Sequence, residues 1–190
     1  MDYENNTTSL KGSFLMAMPG LIDPNFHQSV TCISEHNQDG AVGIIVNNIH
    51  PILSAKIIFQ EFNIDCTESA EKIPVHMGGP VHTNKIFVLH GPPFKLTQTL
   101  MINNELAMSN SMEIIKNIAA GDGPESFIIS LGCAGWGAGQ LENELMSNFW
   151  LTSPYFKNIL FDISIEDRWK KAMNNIGVDP AMLSNIAGHA

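Results

Sequence analysis

Arginine is nearly missing from this chain: of its ten basic residues only Arg168 is one. Acidic residues number 19, which leaves a net charge of −9. A protein that holds nucleic acid by neutralising phosphates needs a basic face, and this composition does not build one. Charge of either sign is scarce, at 15% of residues against roughly 25% in an average soluble protein. With 44% hydrophobic residues, the chain has a core to bury and is not simply disordered. Cysteine is scarce as well. Cys32, Cys66 and Cys133 are odd in number, widely spaced and free of any C-x-x-C pattern. That excludes a disulfide framework and gives no structural zinc site; it suits a reducing compartment. Long apolar runs are absent: the stretch 41–46 is far too short to span a bilayer. The start, Met-Asp-Tyr-Glu-Asn-Asn, has neither the basic nor the apolar region of a signal peptide. These absences predict a cytoplasmic protein with no membrane contact.

What is present fits one domain. In 190 residues there is no repeat and no composition break that marks a linker. Residues 1–9 read as a polar extension and residues 10–190 as a single domain. Strand-like runs lie at 12–18, 29–36, 41–47, 74–77, 85–90, 98–102 and 125–131. The second and third are joined by Asn37-Gln-Asp-Gly40, a hairpin signal, and Val42, Ile44 and Val46 alternate onto one face. Four helices are legible. Ser54 can cap the first, whose Ala55, Ile58, Phe59 and Phe62 share a stripe, and Asn63 can close it. The second starts near Asn110, with Glu113 placed for a capping box, and ends at Gly121. The third carries Leu141 and Leu145. The fourth follows Ser164, with Trp169, Ala172, Met173 and Ile176 inward and Gly177 and Pro180 as its stop. Strands adjoin both strands and helices, so the prediction is an α+β fold with a mixed, largely antiparallel sheet.

The most distinctive segment is Leu131-Gly-Cys-Ala-Gly-Trp-Gly-Ala-Gly-Gln-Leu-Glu142, between a predicted strand and a predicted helix. Such a glycine-rich turn can cradle a phosphate, but neither the P-loop nor the dinucleotide spacing is met. Glu142 and Glu144 also oppose an anion. Each gains roughly 0.3–1 kcal/mol from the helix dipole. A phosphate about 6 Å from one carboxylate would meet repulsion of about 3 kcal/mol at an effective dielectric near 20. The segment therefore reads as a tight structural corner in which Trp136 plugs the core. Cys133, near the helix start, is a candidate nucleophile with no base nearby in sequence. Glu35-His36 at the hairpin mouth is the best acid/base candidate. His76 and His82 flank the Gly78-Gly-Pro80 turn, yet none of the seven histidines has a zinc spacing. In Arg168-Trp-Lys-Lys171, Glu166 and Asp167 stand four residues before Lys170 and Lys171, which predicts a solvated, internally balanced face anchored by Trp169.

Several segments together resemble one family: Phe14-Leu-Met-Ala-Met-Pro19, Asp23-Pro-Asn-Phe26, Ser29-Val30, Glu35-His36, Gly40-Ala-Val-Gly-Ile-Ile-Val-Asn47, Gly78-Gly-Pro-Val81, Leu89-His90, the 132–142 run, Trp150-Leu151, Trp169 and the closing Gly188-His-Ala190. Their order and spacing resemble the AlgH/YqgE family of bacterial cytosolic proteins over residues 9–190. The resemblance implies a sheet curled into a pseudo-barrel with helices outside. It also implies a family described as transcriptional regulators, with no established enzymatic activity. Two departures stand out. The family tends to follow Asn47 with a basic residue and proline, where this chain has Asn48-Ile-His-Pro51. The position of Cys133 is typically aromatic in similar sequences.

The reading that results is a non-catalytic regulatory or binding module. It would need no metal or cofactor and would take a protein or small-molecule partner. Its expected ligand or partner surface comprises Glu35, His36, Asn47, Gly79, Trp136, Gln140 and Glu142, with no residue assigned a catalytic role. The alternatives are a small hydrolase using His36 or Cys133, and a DNA-binding regulator, which the charge disfavours and for which no helix-turn-helix is apparent.

Overall fold

A computed structural model of the chain describes residues 9–183. Apart from Ser9, the expected polar extension lies outside the described residues, as does the closing Gly188-His-Ala190. Ten strands form one sheet: β1 (Ser13–Ala17), β2 (Val30–Asn37), β3 (Gly40–Ile45), β4 (Ile49–Ser54), β5 (Pro74–Met77), β6 (Val81–His90), β7 (Thr99–Met101), β8 (Ala107–Ser109), β9 (Phe127–Gly137) and β10 (Trp150–Pro154). The main path runs β10-β1-β2-β3-β9-β6-β8-β7, and β5 joins β9 with β4 on its other side. Every pairing is antiparallel except β5 with β9. The fold is α+β, its sheet curled into a half-barrel.

Both faces of the sheet are covered. In β1, Phe14 and Met16 enter one apolar cluster while Leu15 and Ala17 enter another, as the period of two dictates. Helices α5 (Lys157–Phe161) and α6 (Arg168–Asn175) close the first cluster through Ile159, Leu160, Trp169 and Met173. Helix α4 (Gln140–Met146) closes the second through Leu141. A third cluster unites Ile58 and Phe59 of α1 (Ala55–Glu61) with Ile114 and Ile118 of α3 (Met112–Ala120), over Val75 and Ile129 of the sheet. The short α2 (Glu68–Glu71) and α7 (Pro180–Leu183) complete the helices among the described residues.

Several sequence expectations change. The Ser54 side chain makes no capping hydrogen bond to α1, and Phe62 falls past the helix end and is exposed. Strand β9 does not stop at Leu131 but runs through the glycines to Gly137. The predicted corner is therefore strand for most of its length, and only Ala138 and Gly139 turn. Beside this strand a side chain would strike neighbouring backbone: a Cβ on Gly132 would lie 2.5 Å from the Gly79 carbonyl oxygen. Two things require the glycine, this close approach and a left-handed φ of 74° within the strand. The capping box at Glu113 does not form either. Ser111 is the N-cap, and its hydroxyl oxygen accepts from the Ile114 amide. That puts Glu113 one position too early to reach back, and it accepts from the Thr97 amide and hydroxyl instead, at 3.2 and 2.7 Å. Finally, Arg168 is not on a solvated face. It is buried and donates to the carbonyl oxygens of Val46 and Ile163; burial draws it down to about 10. Lys170 and Lys171 form no ion pair with Glu166 or Asp167, and Asp167 accepts from the Ser164 hydroxyl at 2.7 Å.

Candidate functional site

Strand β9 has two faces, and the two faces differ in chemistry. On one face it carries Trp136, packed with Trp150 of β10 in an edge-on arrangement at 5.8 Å and with Phe26 at 6.1 Å. Both indoles donate to one Glu144 oxygen, at 2.9 Å from Trp136 and 2.7 Å from Trp150. The other Glu144 oxygen accepts from the Gln140 amide at 2.9 Å, while the Gln140 oxygen accepts from the Gly137 amide at 3.0 Å. Gly139, left-handed at φ 72°, lets α4 turn back over these rings. One turn along, Glu142 accepts from His36 Nε2 at 2.8 Å. The Leu10 amide donates to His36 Nδ1 at 2.9 Å, so Nδ1 carries the lone pair and Nε2 the proton. A hydrogen bond from its own backbone amide, and then His36, hold the Glu142 carboxyl below the usual range. His36, Trp136, Gln140 and Glu142 thus meet in one corner whose polar ends are answered from within.

The other expected surface residues lie elsewhere. Asn47 accepts from the Val30 amide at 2.7 Å and donates to the Gln28 carbonyl at 2.8 Å, tying β2 to the end of β3. It borders a large open cleft with Gln28, Asn48 and Lys170. Gly79 (φ 146°) lies against Cys133, where an added Cβ would come within 2.3 Å of the backbone. It borders a separate pocket of about 250 Å³ with Ile45, His50 and Thr83. Glu35 and His36 do not form a pair. They are consecutive on β2, so their side chains leave opposite faces of the sheet.

Glu35 opens onto the second face. A register break between Ile33 and Glu35 inserts Ser34 as an unpaired residue, which exchanges the faces of all that follows. Cys32 faces the first cluster; without the extra residue His36 would follow it there, and Glu35 would point beneath α4. With it, Glu35, Val42 and Gly135 stand in one register row across β2, β3 and β9. That row walls a pocket of about 410 Å³. Strand β6 adds His82, from the irregular stretch between the Val81–Cys133 and Ile86–Leu131 pairs, and Lys85, which shares the face of Phe87. Val42, Phe87, Leu100 and Met108 supply the apolar floor. Lys85 and Glu35 are exposed and make no hydrogen bond or ion pair with any described residue.

Cys133 borders this pocket but is 3% exposed and belongs to the core cluster. Burial pushes its thiol up, which opposes thiolate chemistry. His76 and His82 are not neighbours in environment: His76 is buried and drawn down to about 4 by burial and by Arg168, whereas His82 is exposed. No cluster of three or more metal-ligating side chains occurs among the described residues, and none of their helices is long and apolar enough to cross a membrane. One further pair is chemically notable. His90 Nδ1 donates to the Gly91 carbonyl at 2.8 Å, leaving Nε2 to accept from the Ser109 hydroxyl at 2.9 Å.

The AlgH-like family model matches residues 14–181. The chain belongs to the AlgH-like family. A UPF0301 protein from Desulforapulum autotrophicum is 48% identical over 181 residues, which cover 95% of this chain and 96% of that one. Another from Thiobacillus denitrificans is 42% identical over 183 residues, covering 96% and 98%. The solution structure of the AlgH protein from Pseudomonas aeruginosa is similar at TM-score 0.79 and 43% identity, with both chains fully covered. A crystal structure of a protein from Corynebacterium diphtheriae, 20% identical, shares the fold at TM-score 0.70 over 90% and 89% of the two chains. Two residues of this AlgH-like chain escape sequence reasoning. Glu144, which gathers both indoles, looks like any solvated helical carboxylate, though its position four residues after Gln140 was a usable signal. Lys85 shares the face of Phe87 and Leu89 by strand alternation, a usable signal, but nothing in the sequence brings that face beside Glu35.

Proposed function

We propose that this AlgH-like protein is a non-catalytic regulatory or binding module, acting in the cytoplasm, whose ligand-facing element is the 410 Å³ pocket between the two register breaks. One observation carries the proposal: the pocket joins an apolar floor to charged groups that have no partner among the described residues, the combination that small-molecule sites use. The α4 corner, by contrast, has its polar ends occupied. Any effect on transcription would then run through the bound molecule or a protein partner, since the −9 charge opposes direct contact with DNA. Glu35 is the member of the expected surface that takes part; His36, Trp136, Gln140 and Glu142 support the strand it stands beside.

Native mass spectrometry of the protein isolated from its own cells tests this. The wild type is expected to carry a small-molecule mass that Gly135→Val removes. A Cβ at this exposed glycine makes only an ordinary 3.5 Å contact with Val81, and the valine methyls beyond it take up space in the pocket, so the fold should persist. A retained mass that survives Gly135→Val refutes the pocket.

A hydrolase reading has the Ser109–His90 pair in its favour, a nucleophile and an oriented base at hydrogen-bond distance. Against it, Ser109 is 1% exposed and also bonds the Thr99 hydroxyl at 2.8 Å. A fluorophosphonate that added to Ser109 and left Ser109→Ala unlabelled would restore it.

A further inference from the structure

Charges of opposite sign line one pocket. The Ser34 bulge turns Glu35 toward it, and Lys85, two residues before Phe87 on β6, shares that residue's face of the sheet and lines it too. Bulges of this kind re-aim side chains next to functional sites. In a chain with only two ion pairs among its described residues, two opposite charges at one pocket would be expected to pair. They do not. Between them lies apolar surface from Val42, Leu100 and Met108, with the Gln98 and Asn110 amides at the rim.

We infer that the pocket takes a zwitterion with an apolar side chain, an amino acid or a short peptide with both termini free; this rests on the pocket being the binding element. Glu35 meets the ammonium, Lys85 meets the carboxylate, and the floor accepts the side chain. Both charges belong to exposed side chains, so neither has lost its hydration in the free protein. The ligand supplies the partners that each lacks. A simple anion or cation would leave one of the two unanswered beside its own opposite charge. Gly135 keeps the wall low between them: with no side chain there, the pocket stays open beside Val81.

The test is titration of the ¹⁵N-labelled full chain, read by amide shifts, with four probes: L-leucine, L-leucyl-L-leucine, N-acetyl-L-leucine and L-leucinamide. The expected result is that one or both free zwitterions shift the amides of Gly135, Val81 and Asn110, and that each blocked probe binds at least about tenfold more weakly. Tenfold corresponds to about 1.4 kcal/mol, a modest value for one charge contact. Leucine and leucyl-leucine distinguish the free amino acid from the peptide. Lys85→Met and Glu35→Gln, each at an exposed and unbonded side chain, should weaken the zwitterion by a similar factor without changing the melting temperature. Equal binding of the blocked probes, or of the zwitterion to both variants, overturns the inference. If no probe binds while native mass spectrometry still finds a mass removed by Gly135→Val, the ligand class falls and the pocket stands. If that mass survives Gly135→Val, both fall.

Discussion

The two faces of β9 begin from the same run of residues and end in opposite conditions. Under α4, Trp136 is met by Trp150, Phe26 and Glu144, and each polar end in the corner finds a partner within about 3 Å. On the other face, Gly135 leaves an open wall, and Glu35 and Lys85 stand without partners among the described residues. The more distinctive sequence belongs to the satisfied face. A run such as Gly-Trp-Gly-Ala-Gly-Gln-Leu-Glu is unusual because its packing is demanding. Binding chemistry falls instead where ordinary residues are left unanswered.

The comparison breaks first at Glu144. Replacing it with alanine strands two buried indole donors and frees the Gln140 amide. With roughly 1–3 kcal/mol for each stranded donor, Glu144→Ala should lose about 3 kcal/mol of stability, measured by urea unfolding. Glu35→Gln and Lys85→Met should each stay within about 0.5 kcal/mol of the wild type. A loss under about 1 kcal/mol at Glu144 would mean that the corner is not structural.

His36→Ala should cost less, about 1–2 kcal/mol, through the lost bond to Glu142 and the stranded Leu10 amide. The pocket counterpart is chemical. At pH 8, Cys133 should react with a thiol reagent far more slowly than the partly exposed Cys66, because burial keeps the Cys133 thiol protonated and out of reach. Equal rates would place an open, reactive group at the pocket floor and revive the hydrolase alternative.

The smallest effect is in the pH profile. The folded Glu142 carboxyl lies below its unfolded range, so the native state binds fewer protons than the unfolded one in between. The stability this supplies is present above the unfolded pKa and lost as pH falls through the folded one. His36→Ala removes a share of it, so the acid-induced drop should be shallower in that variant. An identical drop would mean that His36 does not act on Glu142.

Much of the frame was legible. Alternation in β3, the Ala55, Ile58 and Phe59 stripe of α1 and the Gly177 stop of α6 follow from local rules, and those elements form where the residues put them, though Phe62 ends up exposed. What was not legible depends on register. Whether Glu35 faces α4 or the pocket turns on one inserted residue, Ser34, and nothing local to Ser34 distinguishes it from a paired strand residue. The same holds for residues 82–84, which have no place in the ladder between Val81 and Ile86. Glycine signals a turn when read locally, so the sequence predicts a strand that stops at Leu131, whereas Gly132 takes a left-handed φ of 74° inside the strand and fits against Gly79. Beside its lysine neighbours Arg168 predicts a solvated face, since a buried arginine held by backbone carbonyls carries no partner charge in the sequence. Of the expected surface, Trp136, Gln140, Glu142 and His36 converge in space, while Asn47, Gly79 and Glu35 border three different depressions.

The division of labour across β9 is tested most directly by measuring stability and ligand retention together on two variants isolated from the native organism. Gly135→Val should unfold at the wild-type urea midpoint and carry no small-molecule mass in native mass spectrometry. His36→Ala should unfold at a lower midpoint and keep that mass. The reverse outcome, with the mass lost at His36 and kept at Gly135, would contradict the account.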